Sequence, residues 1–288
     1  TQFNLGKRVR VGENLQLAYR RNDASSIWAS TVMTMHPLVP VWDDFGNPAG
    51  NAAPSTGGEP EFSTNPVTEA WRNRFDTSNR IGVLGNVYAE AELMKGLTVY
   101  SSFGVDYANS RNLDLNQVTY EHAQNTNPPN SLQESRNNEN TWTWTNTANF
   151  SRTWDKHVFK ALVGSEAINT YGNSLSATRL NLPIDDDKDF LVISAGTGAQ
   201  TNSGSFSRSS LYSLFGRLDY TFDDKYFING TLRRDQSSKF GRNYRTGYFP
   251  SAAVGWRVSS EPFMADIGWL DDLKLRGSWG AIGNQNGL

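Results

Sequence analysis

Cysteine is absent from the 288-residue sequence, which excludes a disulfide framework, a thiolate metal site and a cysteine nucleophile. No stretch approaches the roughly 20 apolar residues that a transmembrane helix needs. A surplus of one charge is missing too. The 27 basic and 29 acidic side chains leave a formal net charge of −2, which argues against nucleic acid as the main partner, since phosphate binding needs a clustered basic excess. The charged fraction of 19% lies below the roughly 25% typical of soluble domains. Residues Thr1 to Arg10 are polar and carry no signal-peptide pattern. The first residue is not Met and the last residues are turn-like, so both ends read as cuts through a longer chain.

Aromatic rings are plentiful, with Trp 9, Tyr 11 and Phe 15, although the mean hydropathy is −0.57. Their arrangement has period two, the signature of half-buried strands. Trp142, Trp144, Asn146, Ala148 and Phe150 fall on one face; Thr143, Thr145, Thr147, Asn149 and Ser151 fall on the other. Leu214, Gly216, Leu218, Tyr220 and Phe222 alternate with Phe215, Arg217, Asp219 and Thr221. Tyr226, Ile228, Gly230 and Leu232 alternate with Phe227, Asn229, Thr231 and Arg233. Weaker copies span Ile81 to Leu93, Leu97 to Tyr107, Phe159 to Asn169, Ser251 to Val258 and Leu273 to Trp279, with Leu15 to Tyr19 near the start. These make about nine strands of roughly 9–13 residues, the length a tilted strand needs to cross hydrocarbon. Helical periodicity is confined to a short turn at Glu261 to Trp269.

Connections alternate between tight and long. Met94-Lys95-Gly96, Asp155-Lys156-His157 and Asp223-Asp224-Lys225 are tight; Asn22 to Asn79, Ser110 to Glu139, Thr178 to Ser207 and Gln236 to Thr246 are long and polar. A bacterial outer-membrane barrel has this asymmetry, with short periplasmic turns and long extracellular loops. Rings at Trp142, Trp144, Trp154, Phe159, Tyr226, Phe249 and Trp256 suit interfacial girdles. The expected fold is all-β: an antiparallel transmembrane β-barrel wall, partial, with unpaired edges at the first and last strands; since an open sheet cannot persist in lipid, chain outside this sequence or another subunit is expected to supply the missing strands. A soluble β-sandwich glycan-binding module or a secreted glycoside hydrolase is the rival class.

Chemistry is sparse. His36, His122 and His157 share no ligand spacing, and Gly196-Thr197-Gly198 lacks the Lys-Ser/Thr of a phosphate loop. Asp185-Asp186-Asp187-Lys188-Asp189 offers hard oxygens for calcium, but it lacks the Asp-x-Asp-x-Asp-Gly pattern and is broken by Lys188. No catalytic constellation, metal site or cofactor site is assigned, and the chain is not read as an enzyme. Two features could meet solute. Arg217, Asp219, Arg233 and Asp235 share the polar face of one hairpin, where they line a lumen or stiffen the wall as a cross-strand ion-pair network. Trp28, Trp42 and Trp71, with Phe45 and Phe62, could stack on sugar rings, meet a partner, or pack within the large loop.

The stretch Ser213 to Gln285 closely resembles the barrel of SusC/RagA-type TonB-dependent transporters of the Bacteroidetes outer membrane. Gly216-Arg217 with Tyr220, the turn Asp224-Lys225-Tyr226, Arg233-Arg234-Asp235 with Ser237-Ser238 and Phe240-Gly241, Phe249-Pro250-Ser251, Gly255-Trp256-Arg257, Leu273 to Arg276, and Gly283-Asn284-Gln285 carry it. Gln236 departs from that family's usual glycine, and Asn86 to Glu90 with Phe103 to Tyr107 resembles an earlier hairpin. The resemblance implies residues 1–288 are part of one barrel domain of about 22 strands, with the plug and the barrel's C-terminus outside this sequence. It implies outer-membrane uptake of bulky nutrients, oligosaccharide or peptide, a SusD-like surface lipoprotein as lid, and TonB acting through a region outside this sequence. A passive porin or a siderophore-type receptor is the alternative within the membrane class.

Overall fold

The structure is a computed structural model in which residues 1–23, 32–33, 40–46, 49, 65–118, 129–264 and 269–285 are described. Ten strands form one antiparallel sheet in strict sequence order. They are β1 (Gln2–Leu5), β2 (Val9–Asp23), β3 (Thr77–Met94), β4 (Leu97–Asn116), β5 (Ser131–Trp154), β6 (His157–Leu180), β7 (Gln200–Phe222), β8 (Tyr226–Ser237), β9 (Thr246–Arg257) and β10 (Lys274–Gly280). A short helix, α1 (Pro66–Arg72), precedes β3. The expectation of about nine strands missed β1, whose four residues are too few to show alternation. No second sheet lies over this one among the described residues, so the two-layer sandwich does not describe the fold.

The strands are longer than expected. β5 and β6 have 24 residues each and β7 has 23. Segments read as loops, Ser110 to Glu139 and Thr178 to Ser207, are strand at both ends, over 110–116 and 131–139 in the first and 178–180 and 200–207 in the second, which narrows the connections to 117–130 and 181–199. Their Ser, Thr and Asn composition mimics a loop. Where both faces are wet, however, these side chains bond across the ladder instead. Gln133 Nε2 donates to Ser176 Oγ at 2.9 Å, Asn112 Nδ2 donates to Ser135 Oγ at 3.1 Å, and the Ser174 and Ser205 hydroxyls meet at 2.8 Å.

The tight turns close as expected, all at one rim. Gly96 has φ +86°, and an added Cβ there would sit 2.2 Å from the Ser151 carbonyl oxygen. Asp155, Asp223 and Asp224 adopt the left-handed conformation that Asp tolerates better than most residues. The long connections leave from the opposite rim, after Asp23, Asn116, Leu180 and Ser237, as antiparallel order requires. One departure is the longer connection that leaves β9 at the tight-turn rim; it begins with two 3-10 turns, Val258–Ser260 and Pro262–Met264, the second within the expected turn at Glu261 to Trp269, of which residues 265–268 lie outside the described residues.

Register fixes the two faces. Leu218 opposes Ala161 and Gly230, Tyr220 opposes Ile228, and Gly216 opposes Leu232. Because pleated side chains alternate, these residues share a face with Phe150, Trp142, Trp144, Phe103, Val87, Val254 and Leu275. Leu218, Ile228 and Leu232 are each more than half exposed. This apolar face is bracketed by rings. At the tight-turn rim Trp154 stacks on His157 at 5.6 Å, His157 meets Phe222 at 4.9 Å, and Phe222 stacks on Tyr226 at 6.3 Å. Tyr19, Tyr107, Tyr171, Tyr212, Tyr248 and Trp279 mark the far side. Along β7 the path from Phe222 to Tyr212, at ~3.3 Å per residue and ~40° tilt, rises ~25 Å, the height of a lipid-facing band. Phe249, expected in a girdle, falls on the polar face opposite Arg233. Glu13 shares the apolar face near one edge, where it pairs with the Thr1 ammonium at 3.4 Å.

The well-buried apolar cluster sits beyond this band. Leu115, Leu132, Leu182 and Leu191 pack together at the long-loop rim, with Phe75, Leu113 and Ile193 against them. Among the described residues β1 pairs only with β2 and β10 only with β9, so the sheet is open, as expected for part of a barrel wall.

Candidate functional site

The polar face of the β7–β8 hairpin carries all four charged residues singled out from the sequence. Arg217 bonds Asp219 through Nε at 2.8 Å and Nη2 at 2.7 Å; Arg233 Nε bonds Asp235 at 2.7 Å. Both pairs lie two residues apart on one strand, so they are not the cross-strand pairs expected. The link between strands is made by Glu166 of β6. Its carboxylate lies 3.4 Å from Arg233 Nη2 and accepts from the Thr145 hydroxyl at 3.3 Å. Arg233 also donates to Ser213 Oγ at 2.8 Å, and that serine is fully buried. Its guanidinium lies 5.6 Å from the Phe215 ring centroid, and Phe215 covers Gly164, where a Cβ would meet the ring at 2.5 Å. Arg233 is therefore the hub of a wall network spanning three strands, while Arg217 keeps about half its surface exposed.

Sequence reading missed Glu166 and Ser213. The available signal was parity: Glu166 is an acid on the polar face of β6, two strands from Arg233. Above this network, residues 281–285 fold against β8 and β9 and border an open cleft of about 500 Å3. Arg233, Asp235, Phe240, Tyr244, Phe249 and Gln285 line it, and Ser237 donates to Gln285 Oε1 at 3.0 Å. Rings beside paired charges can stack on a planar or sugar-like group while bonding its polar edge.

Two of the three loop tryptophans, Trp42 and Trp71, are placed by the structure, and both are exposed. Trp28 lies outside the described residues, as does Phe62. Trp42 is 52% exposed. Trp71, on α1, has one face covered by the Arg74 guanidinium at 3.6 Å from its centroid. Asn65 caps α1 by accepting from Val67 N–H at 3.0 Å, and donates to the Val41 and Ala49 carbonyls, tying 41–49 to the helix. Asp76 accepts from Leu115 N–H at 2.7 Å, and burial pushes its carboxyl up to about 6. The acidic run 185–189 also holds the loop: Asp185 accepts from Asn130 Nδ2 at 2.7 Å, and Asp187 accepts from Asp189 N–H at 3.0 Å. Among the described residues no group of three or more metal-ligating side chains converges. His36 and His122 lie outside the described residues, and His157 Nδ1 meets Tyr220 Oη at 2.7 Å within the aromatic girdle.

The tight-turn rim is pinned by Glu261, which accepts from Tyr226 Oη at 2.5 Å and Trp256 Nε1 at 2.9 Å. Those two bonds hold its carboxyl below the usual range. Asp223 is held low by Lys156 and then Lys225.

An apolar band between two ring girdles, backed by a charged face on one sheet, is a membrane wall. The model of the TonB-dependent receptor-like β-barrel matches residues 15–285. The chain belongs to that family. It is 32% identical over 208 residues to TonB-dependent receptor P39 of Formosa agariphila, covering 69% of this chain and 19% of that protein. It is 46% identical over 80 residues to TonB-dependent receptor SusC of Bacteroides thetaiotaomicron, 28% of this chain and 8% of that one. The fold matches a chain of the RagAB peptide transporter with a TM-score of 0.79 at 24% identity, covering 99% of this chain and 32% of that chain. The chain thus spans less than a third of the length of these relatives. The SusC/RagA-type resemblance of the sequence is borne out, and barrels of this family are outer-membrane proteins.

Proposed function

We propose that these residues form part of the wall of an outer-membrane, TonB-dependent transporter that imports bulky hydrophilic nutrients, oligosaccharides or peptides, beneath a SusD-like surface lipoprotein. The supporting observation is the division of faces: one face is apolar and exposed, as a lipid-facing wall requires, and the other bears Arg217, Asp219, Arg233 and Asp235, as a hydrated lumen requires. Barrel walls of this kind alternate apolar-out and polar-in. The plug, the closing strands and the TonB-binding region belong to chain outside these residues. Arg233 and its carboxylates hold the lumen wall in shape, and Arg217 with Asp219 is the exposed pair that meets passing solute.

The test uses the complete receptor in its host outer membrane, with labelled oligosaccharides and peptides outside. Uptake that stops when a protonophore collapses the inner-membrane gradient, or when TonB is deleted, supports active transport. Uptake indifferent to both would make the protein a passive porin.

A further inference from the structure

The apolar face does not end at its outer tyrosines; it turns basic. Beyond Tyr107 on β4 comes Arg111; beyond Trp142 on β5 come Asn140, Asn138 and Arg136; beyond Tyr212 on β7 comes Arg208; beyond Leu232 on β8 comes Arg234. All keep the parity of the lipid face, because Arg111 opposes Arg136, Arg208 opposes Tyr171, and Arg234 opposes both Leu214 and Tyr248. Two like charges directly opposite each other repel, and here they are held together. Glu134 takes Arg111 at 2.9 and 3.2 Å and Arg136 at 3.0 and 3.1 Å, while both arginine side chains stay more than half exposed. Arg208 is exposed, and neither it nor Arg234 has an acidic partner among the described residues.

This outer zone therefore carries a positive excess on one face of a chain whose net charge is −2. Apart from Glu134, the only acid of that parity in the zone is Asp23, which is paired with Arg21 at 2.8 Å. Solvent alone gives no reason for the sign to follow the pleat, whereas a bilayer does. Arginine long enough to leave the hydrocarbon meets headgroups, and its planar fork binds phosphate oxygens bidentately.

We propose that Arg111, Arg136, Arg208 and Arg234 form a binding belt for phosphate-bearing lipid headgroups of the outer leaflet. The occupant is a lipid rather than a free anion because the belt continues the apolar band and its tyrosines, which supply a place for the acyl chains. The inference rests on the wall lying in the membrane and not on what the pore carries.

The experiment takes the complete receptor, folded in nanodiscs of zwitterionic lipid, and titrates it with lipid A, with dephosphorylated lipid A, and with inorganic phosphate, reading bound lipid by native mass spectrometry. Lipid A should bind at least tenfold tighter than its dephosphorylated form. R208Q and R234Q should each weaken lipid A about fivefold, the factor set by removing one basic residue at an anionic surface. Unchanged heat-modifiable migration shows that both variants remain folded. Equal binding of the dephosphorylated lipid, indifference to both substitutions, or displacement by millimolar phosphate would overturn the proposal. A failed transport assay would leave this readout intact, so the two readings fail separately.

Discussion

At the residue scale, geometry at single positions carries measurable consequences. Gly96 combines a positive φ with a Cβ position 2.2 Å from the Ser151 oxygen. Gly96→Ala should therefore cost at least ~1–2 kcal/mol for the left-handed backbone alone, measured as a lower urea midpoint for the folded barrel. Asp76 is sequestered beneath the outer rim with its carboxyl raised to about 6, chiefly by burial. An acid raised in the folded state favours folding while it is protonated. That contribution is complete below the unfolded value near 3.8 and is lost as pH rises through about 6. Asp76→Asn keeps an oxygen for Leu115 N–H and removes the titration. The variant should therefore lose less thermal stability than the parent between pH 4 and pH 7; parallel pH profiles would refute this.

At the scale of elements, the β7–β8 hairpin separates two environments within one pleat. Leu218→Arg or Ile228→Arg places charge against hydrocarbon, at a cost of about 2–4 kcal/mol near the midplane. Thr231→Arg, one face away in the same hairpin, should cost much less. Folding titrations in lipid vesicles check the difference, and equal losses would mean the face assignment is reversed. The same hairpin shows why pair chemistry was only half legible. Alternation placed Arg233 and Asp235 together because parity is a local property. The third partner, Glu166, is brought by register across two strands, which local pattern does not encode. Arg233→Met should destabilise by about 1 kcal/mol, since Glu166 and Asp235 lose a partner while staying partly hydrated. Glu166→Gln should recover part of that loss in the double variant.

At the scale of the whole molecule, one continuous sheet has two edges that do not meet. Among the described residues the upper half of β2 is unpaired on its outer side, since β1 reaches only to Gly12 within the strand ladder, and β10 has no second neighbour. Each unpaired backbone group in lipid costs several kcal/mol. The 288 residues expressed alone should therefore fail to form an SDS-resistant, heat-modifiable barrel in vesicles. A stable closed species would show that β2 and β10 can pair. After β9 the chain adds a second feature at the tight-turn rim, since it seats Glu261 against Tyr226 and Trp256.

The sequence by itself determined the strand class, the two faces and the rim asymmetry. Period-two alternation, left-handed turn residues and loop length are all local, and each survives without knowledge of neighbours. It also carried the family, through the dense motifs between Ser213 and Gln285. Only the tertiary structure decided how far β4 to β7 rise above the band, because a Ser/Thr/Asn strand differs from a loop only in having a partner. The same applies to the Arg233 hub, to the Arg74 guanidinium over Trp71, and to the placement of Phe249 on the polar face. Those features depend on which residues stand side by side across strands, and that is set by register accumulated over the whole sheet rather than by any window of the chain.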